Sequence, residues 1–212
     1  MKQARGQETR EKVLETAAEL IVAHGHANVS LRDICDQSGI SNGSVFHHFG
    51  SKDGIIRELF LQERRRYLGA IAKAITGYDG DPCDAFAEGA RAAAEFQLAD
   101  VERFMHLIAD FNDSEWLREN RDVWLNAALD IQQPVIDWAM PHFASGALPV
   151  MPPTLFQALS LGPAEFLMRS QRQGRIEDAA VHIDTIVAGI SASLRHLRDV
   201  QAAQRAAADD AA

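Results

Sequence analysis

Cysteine is nearly absent from this chain. Cys35 and Cys83 are the only two in 212 residues, too few for a disulfide framework. Cys35 falls on an expected apolar helix face, where a thiol behaves as a small hydrophobe. Also missing is an apolar run long enough to span a membrane, and the polar start MKQARGQETREK lacks the apolar stretch of a secretion signal. The expectation is a cytoplasmic protein with no membrane partner. No strand-like alternation and no internal repeat can be found. The patterns that carry catalysis are missing as well: metal-ligand spacing, a nucleophile elbow, a phosphate-binding Gly loop, paired catalytic carboxylates. The chain is therefore expected to be no enzyme, with no cofactor and no metal site.

What is present is a globular composition, 47% hydrophobic and 24% charged, long enough to bury a real core in one or two domains. The formal net charge of −9 argues against a polyanion partner until it is divided along the chain. Residues 1–66 hold ten Lys or Arg against nine Asp or Glu, so the acidic surplus lies in the other 146 residues. Phosphate contacts need only a local basic surface, and overall acidity does not exclude them.

Hydrophobic periodicity predicts helices throughout. Val13, Ala17, Leu20, Ile21 and His24 mark a first helix over 7–24, ended by Gly25. Arg5, Arg10 and Lys12 on it suit either a phosphate backbone or a solvated face. A long helix starts after Ser51 and runs through Arg64, Arg65 and Arg66 to about Ile75. Gly77 to Pro82 is a loop. Further helices are expected over 84–100, 101–111, 115–140 with a kink at Pro134, 154–173 with a break at Gly162-Pro163, and 178–206. Residues 141–153 read as a loop. The count is about nine helices and the fold class all-α.

The stretch from Ser30 to Lys52, SLRDICDQSGISNGSVFHHFGSK, is the most specific. Ser30 can cap a short helix whose apolar face holds Leu31, Ile34 and Cys35. Gly39 suits a left-handed stop, Ile40 plugs the turn, and Ser41 can cap a second short helix. In that second helix Val45 and Phe49 face inward, leaving Asn42, Gly43, Ser44 and His47 outside. Such a pair fits a helix-turn-helix whose second helix enters a DNA major groove, and equally an ordinary helical hairpin. His47 and His48 point about 100° apart on a helix, which argues against a shared metal.

The order and spacing of a first helix, S-L-R-D-I-C, G-I-S-N-G-S-V-F-H-H-F and S-K-D-G-I resemble the N-terminal domain of TetR-family transcriptional regulators over about residues 8–60. The rest of the chain matches only in length and helical character, with Leu161 to Phe166 similar to the penultimate helix of some members. The resemblance implies an N-terminal DNA-binding domain over 1–52, a fourth helix from 52 that links the domains, a regulatory and dimerisation bundle over 53–206, and a disordered tail over 207–212. It places Arg32, Asn42, Gly43, Ser44 and His47 at or beside base edges, where Arg32 suits guanine and Asn42 adenine. Ser30, Ser41, Ser44 and Lys52 would contact phosphates. The tyrosine usual in the second helix is Phe46 here, so one hydroxyl contact is missing.

For the C-terminal bundle the resemblance implies a homodimer and a small-molecule effector. The expected dimer face comprises Leu155, Leu159, Phe166, Ile183, Ile186, Ile190, Leu194 and Leu197, although a purely internal core fits those residues nearly as well. Phe96, Phe104, Met105, Phe111, Trp116, Trp124, Trp138 and Phe143 are expected to line an apolar ligand site, with His106, Asp110 and Asn126 as polar anchors. The resulting expectation is a dimeric regulator, a repressor released from a palindromic double-stranded DNA operator by an apolar or aromatic molecule. The acidic surplus would also suit a lipophilic cation. The alternatives are a helix-turn-helix regulator without an inducer and a helical interaction protein that has lost DNA binding.

Overall fold

A computed structural model describes residues 2–110, 115–119 and 121–210. Among them are eleven α-helices and no strand. In order they are α1 (Lys2–His24), α2 (Leu31–Ser38), α3 (Asn42–Phe49), α4 (Lys52–Thr76), α5 (Pro82–Ala99), α6 (Val101–Phe104), α7 (Glu115–Glu119), α8 (Arg121–Ser145), α9 (Pro153–Ser160), α10 (Gly162–Arg172) and α11 (Ile183–Asp209). The all-α class is as expected. The count exceeds nine because the expected helix over 154–173 divides at Leu161 and the one over 115–140 is represented by two elements, α7 and α8; α6 passes into a π turn, Met105–Ala109. The expected loop over 141–153 begins later, since α8 continues through Pro141 to Ser145. A proline removes one helical hydrogen bond, and this is tolerated where the carbonyl four residues back can be hydrated. Asp130 and Asp137, those positions for Pro134 and Pro141, are both exposed.

The contacts divide the chain into two compact units. The first is Met1–Arg66 with Asp100–Ala127, the second Tyr67–Ala99 with Ala128–Ala212. In the first unit α1 supplies Val13, Ala17, Ala18, Leu20 and Ile21 to a core completed by Ile34, Val45, Phe49, Ile55, Leu59 and Phe60. Burying each large apolar side chain stabilises by about 1.5–3 kcal/mol, which fastens the short α2 and α3. His24, expected on the apolar seam, is exposed. Glu63 is buried, and its charge is met by Arg103 at 2.7 Å and Arg66 at 3.2 Å, with Arg103 also reaching Glu15 at 3.2 Å. A buried carboxylate persists only with such partners.

In the second unit α5 and α11 share the most extensive contact. Ala85, Ala90, Ala93 and Ala94 keep α5 thin, so Val187, Ile190 and Leu194 of α11 bury fully. Where α4 meets α5, a Cβ on Gly89 would stand 2.6 Å from Ile75 Cγ1, so only glycine fits without a shift. A polar cluster ties α4 and α5 to α10. The Tyr67 hydroxyl donates to Glu165, Gln97 Nε2 donates to Glu165 Oε2 at 3.3 Å, and Arg172 donates to Gln97 Oε1 at 2.6 Å. At the N-terminus of α5, Asp81 and Asp84 are tied to Arg198 and Arg195.

Cys83 sits beneath those ion pairs, fully buried, with Sγ 3.7 Å from the Ala147 carbonyl oxygen. Desolvation first, and then the Asp81 carboxylate, push its thiol up to about 12. Because the folded value lies above that of the unfolded chain, this group costs nothing while both states are protonated. Stability is lost as pH rises from about 9 toward 12, where only the unfolded thiol ionises freely. The urea midpoint should therefore fall between about pH 8 and about pH 10.5, and fall less in Cys83→Ala. Equal slopes in the two proteins would contradict this account.

Candidate functional site

The sequence builds the α2–α3 pair from its caps outward. Ser30 forms a capping box: its hydroxyl accepts from the Asp33 N–H at 3.2 Å, while Asp33 Oδ2 accepts from the Ser30 N–H at 2.8 Å. The Ser30 hydroxyl, and then its N–H, hold the Asp33 carboxyl below its ordinary value. Gly39 ends α2 at φ 67°, a left-handed turn that a β-carbon would strain. Ser41 caps α3 by accepting from the Ser44 N–H at 3.3 Å. Val45 and Phe49 then point into the core, and Ile40 packs against it from the turn.

One face of α3 is left to solvent. Asn42, Gly43, Phe46 and His47 are exposed, and Ser44 is half-buried. Phe46 is 63% exposed and presents its apolar ring to solvent on this face. Arg32 projects from α2 with its side chain 88% exposed, and its pairing with Asp36 at 3.5 Å is worth little in water. Arg32 is thus readily released to another anion. This arrangement presents amide, imidazole, aromatic and guanidinium groups on one short helix pair, a set suited to base edges and thymine methyl groups.

Two expected phosphate contacts are placed differently from a free surface group. Lys52 Nζ donates to the His26 carbonyl oxygen at 2.8 Å, fastening the turn His26–Asn28 to the start of α4. Ser30 gives its hydroxyl proton to Asp33 Oδ2 at 2.6 Å. Arg10, read as either phosphate-facing or solvated, turns inward instead. Its guanidinium lies 5.1 Å from the Phe49 ring centroid, donates to the His48 carbonyl oxygen at 3.3 Å and pairs with Glu58. It braces the C-terminal end of α3 from α1 and α4. Nothing in the local pattern around Arg10 signals this, because the partners are about forty residues away.

The second unit holds a cavity of about 540 Å³. Ile71 and Ile75 of α4, Ala139 and Phe143 of α8, and Met151 and Phe156 beyond it form much of the wall. The backbone at Val150, part of that wall, is gripped by Gln201 of α11, whose amide accepts from Val150 N at 2.8 Å and donates to Val150 O at 2.9 Å. Of the expected ligand residues whose side chains are described, Phe143 lines this cavity and the others lie outside its wall. Phe104 is buried in the first unit, Met105 is half-buried there, and His106 and Asp110 bind each other at 3.0 Å. Phe96 packs on Tyr67 with centroids 5.4 Å apart. Trp138 adjoins the cavity, its ring 6.0 Å from Phe86, which lines it. Phe111 and the side chains of Trp116, Trp124 and Asn126 lie outside the described residues. Aromatic spacing marks burial, and burial does not say where a void is left.

Of the expected dimer face, Ile183, Ile190 and Leu194 are spent on the internal core, and Ile186, Leu159 and Leu197 are half-buried. Leu155 at 49% and Phe166 at 62% stand exposed. Among the described residues no cluster of metal-ligating groups occurs, and no helix is long and apolar enough to cross a membrane.

Comparison with known proteins adds a family. The profile described as "Bacterial regulatory proteins, tetR family" matches residues 13–59, the span from α1 into α4. The HTH-type transcriptional regulator UidR of Escherichia coli (strain K12) is 35% identical over 75 residues, which is 35% of this chain and 38% of UidR. The match therefore spans less than two fifths of that relative. A TetR family transcription regulator from Marinobacter aquaeolei VT8 superimposes with a TM-score of 0.69 at 18% identity, over 92% of this chain and 98% of that one. FadR from Bacillus subtilis, solved in complex with stearoyl-CoA, gives 0.66 at 14% identity over 85% and 97%. At such identities the structural likeness is one of fold.

Proposed function

This chain belongs to the TetR family of bacterial regulatory proteins, and from that premise we propose a dimeric repressor that an apolar or aromatic small molecule releases from its operator. DNA binding and transcriptional regulation follow from the family. The operator, the dimer and the effector are the proposal. One observation carries it: the outward face of α3, with Asn42, Gly43, Phe46 and His47 exposed above a core that fixes the helix. Asn42 and Arg32 are the residues for adenine and guanine edges, and His47 and Phe46 flank them. Ser41, Ser44 and the N-terminus of α3 suit phosphates.

Dimerisation is supported by the exposed side of the second unit. Phe166 of α10 and Leu155 of α9 are exposed, as are Thr185, Ala188, Gly189, Ala192 and Ser193 along α11. Small side chains at helical spacing beside two apolar anchors suit close helix packing across a two-fold axis. A symmetric pair of α3 helices about 34–36 Å apart, or a multiple of it, would read a roughly palindromic site. The effector would favour the state whose spacing fits DNA poorly, with a coupling of about 1–3 kcal/mol. Helix α4 is the natural lever, since it runs through both units. Stearoyl-CoA joins an apolar chain to a charged head, and the apolar part is what the cavity here suits.

The test is a mobility shift with the DNA flanking the coding region and with a genomic selection library. We expect specific binding that weakens steeply with salt, at a stoichiometry of one dimer per site. Loss of all sequence preference in both assays would refute the reading.

A further inference from the structure

Nineteen described residues line the cavity of the second unit, and none of them is ionisable. Its polar groups are Gln132, Gln157 and Ser160. Ser160 is buried at 2% exposure, Gln132 is half-buried and Gln157 is exposed. Around the opening Ile136, Met140 and Val150 are exposed apolar side chains, so a lipophilic molecule meets no polar barrier there. An ion moved into such a space loses its hydration and finds no countercharge. A neutral apolar molecule gains the burial of its surface, and one hydroxyl, amine or carbonyl group can be satisfied by the amides and the serine.

We propose that this cavity selects an uncharged apolar molecule bearing a single hydrogen-bonding group, and rejects cations and anions of the same skeleton. The inference rests on the reading of the chain as an effector-controlled regulator, and it names the effector class. It also corrects the lipophilic cation that the acidic surplus suggested. That surplus does not reach the cavity: Asp81 and Asp84 are tied to arginines, and no carboxylate lines the wall. At roughly 30 Å³ per non-hydrogen atom, the share one water occupies in the liquid, the space holds about 18 such atoms.

The experiment uses the full chain and probes matched in shape. N-phenyl-1-naphthylamine is neutral at pH 7 and has the right size, and its 8-sulfonate carries the same skeleton with a fixed negative charge. The neutral probe should bind saturably at one per chain, about tenfold or more tighter than the sulfonate. In competition, 1-decanol should displace it about tenfold or more better than decylammonium or decanoate. Gln132→Glu keeps the side chain's size and adds a charge, so it should weaken the neutral probe and admit decylammonium. Ala72→Leu fills part of the space and should lower affinity for every probe. Charged and neutral decyl compounds competing equally would overturn the proposal, as would a neutral probe unaffected by both substitutions. Operator release is read separately by mobility shift. Charge-selective binding that leaves the DNA complex intact would uphold the cavity's chemistry and defeat effector control instead.

Discussion

Replacing Gly54 with alanine should destabilise the first unit by several kcal/mol and abolish the operator binding proposed for it. A Cβ at this position would stand 1.9 Å from the carbonyl oxygen of Phe49 and 3.0 Å from its carbonyl carbon. Both are backbone atoms, so no rotamer change relieves the clash. Relief requires moving the turn at Gly50 that joins α3 to α4, and α3 moves with it. Overpacking costs typically about 1–3 kcal/mol, and more where the main chain must shift. The helix-propensity gain of Gly→Ala, about 1 kcal/mol, does not offset that. The control is Gly69→Ala, an exposed position in the same helix where a Cβ meets nothing within 4 Å. It should raise the urea midpoint slightly while Gly54→Ala lowers it sharply. A Gly54→Ala protein as stable as Gly69→Ala would mean that the turn between α3 and α4 yields to the added carbon without cost.

The second large effect is expected at the exposed face of α3. Asn42→Ala should cost about 1–3 kcal/mol of operator affinity, concentrated at one base pair, because an amide pairs bidentately with adenine. Phe46→Ala should weaken binding with little change in melting temperature, since the ring is already 63% exposed and holds no core together. Phe46→Tyr should strengthen binding to all sequences alike by supplying a hydroxyl for phosphate. A selection from randomised sites, run on each variant, separates these outcomes. If Asn42→Ala kept the parent's preference at every position, the base-reading role given to α3 would be mistaken.

The difference between these predictions shows what was legible in the sequence. The role of Asn42, Gly43 and His47 as outward residues was readable, because Val45 and Phe49 one turn apart fix which side of α3 is inward. The caps at Ser30 and Ser41 and the left-handed Gly39 were readable for the same reason, each being a contact within four residues. Gly54 was visible only as part of a pattern. Its necessity comes from a carbonyl across a turn, and spacing along a chain does not measure that distance. Lys52 and Arg10 carry formal charges that suggested phosphate, yet both are committed to carbonyls 26 and 38 residues away.

In the second unit the division is sharper. Helical periodicity gave the segments and the break before Gly162-Pro163, since these depend on local backbone preference. It could not tell a seam that faces a partner from one that faces the chain's own core, and Ile183, Ile190 and Leu194 belong to the latter. Nor could it find the cavity, whose wall joins Ile71, Ala139, Val150 and Phe156 from segments far apart in the chain. Sequence by itself determined the all-α class and the α2–α3 helix pair, because local periodicity, caps and turns encode both. Tertiary structure alone decided which charges are spent internally, which apolar faces remain open and where space is left. Those three properties depend on distances between residues remote in sequence.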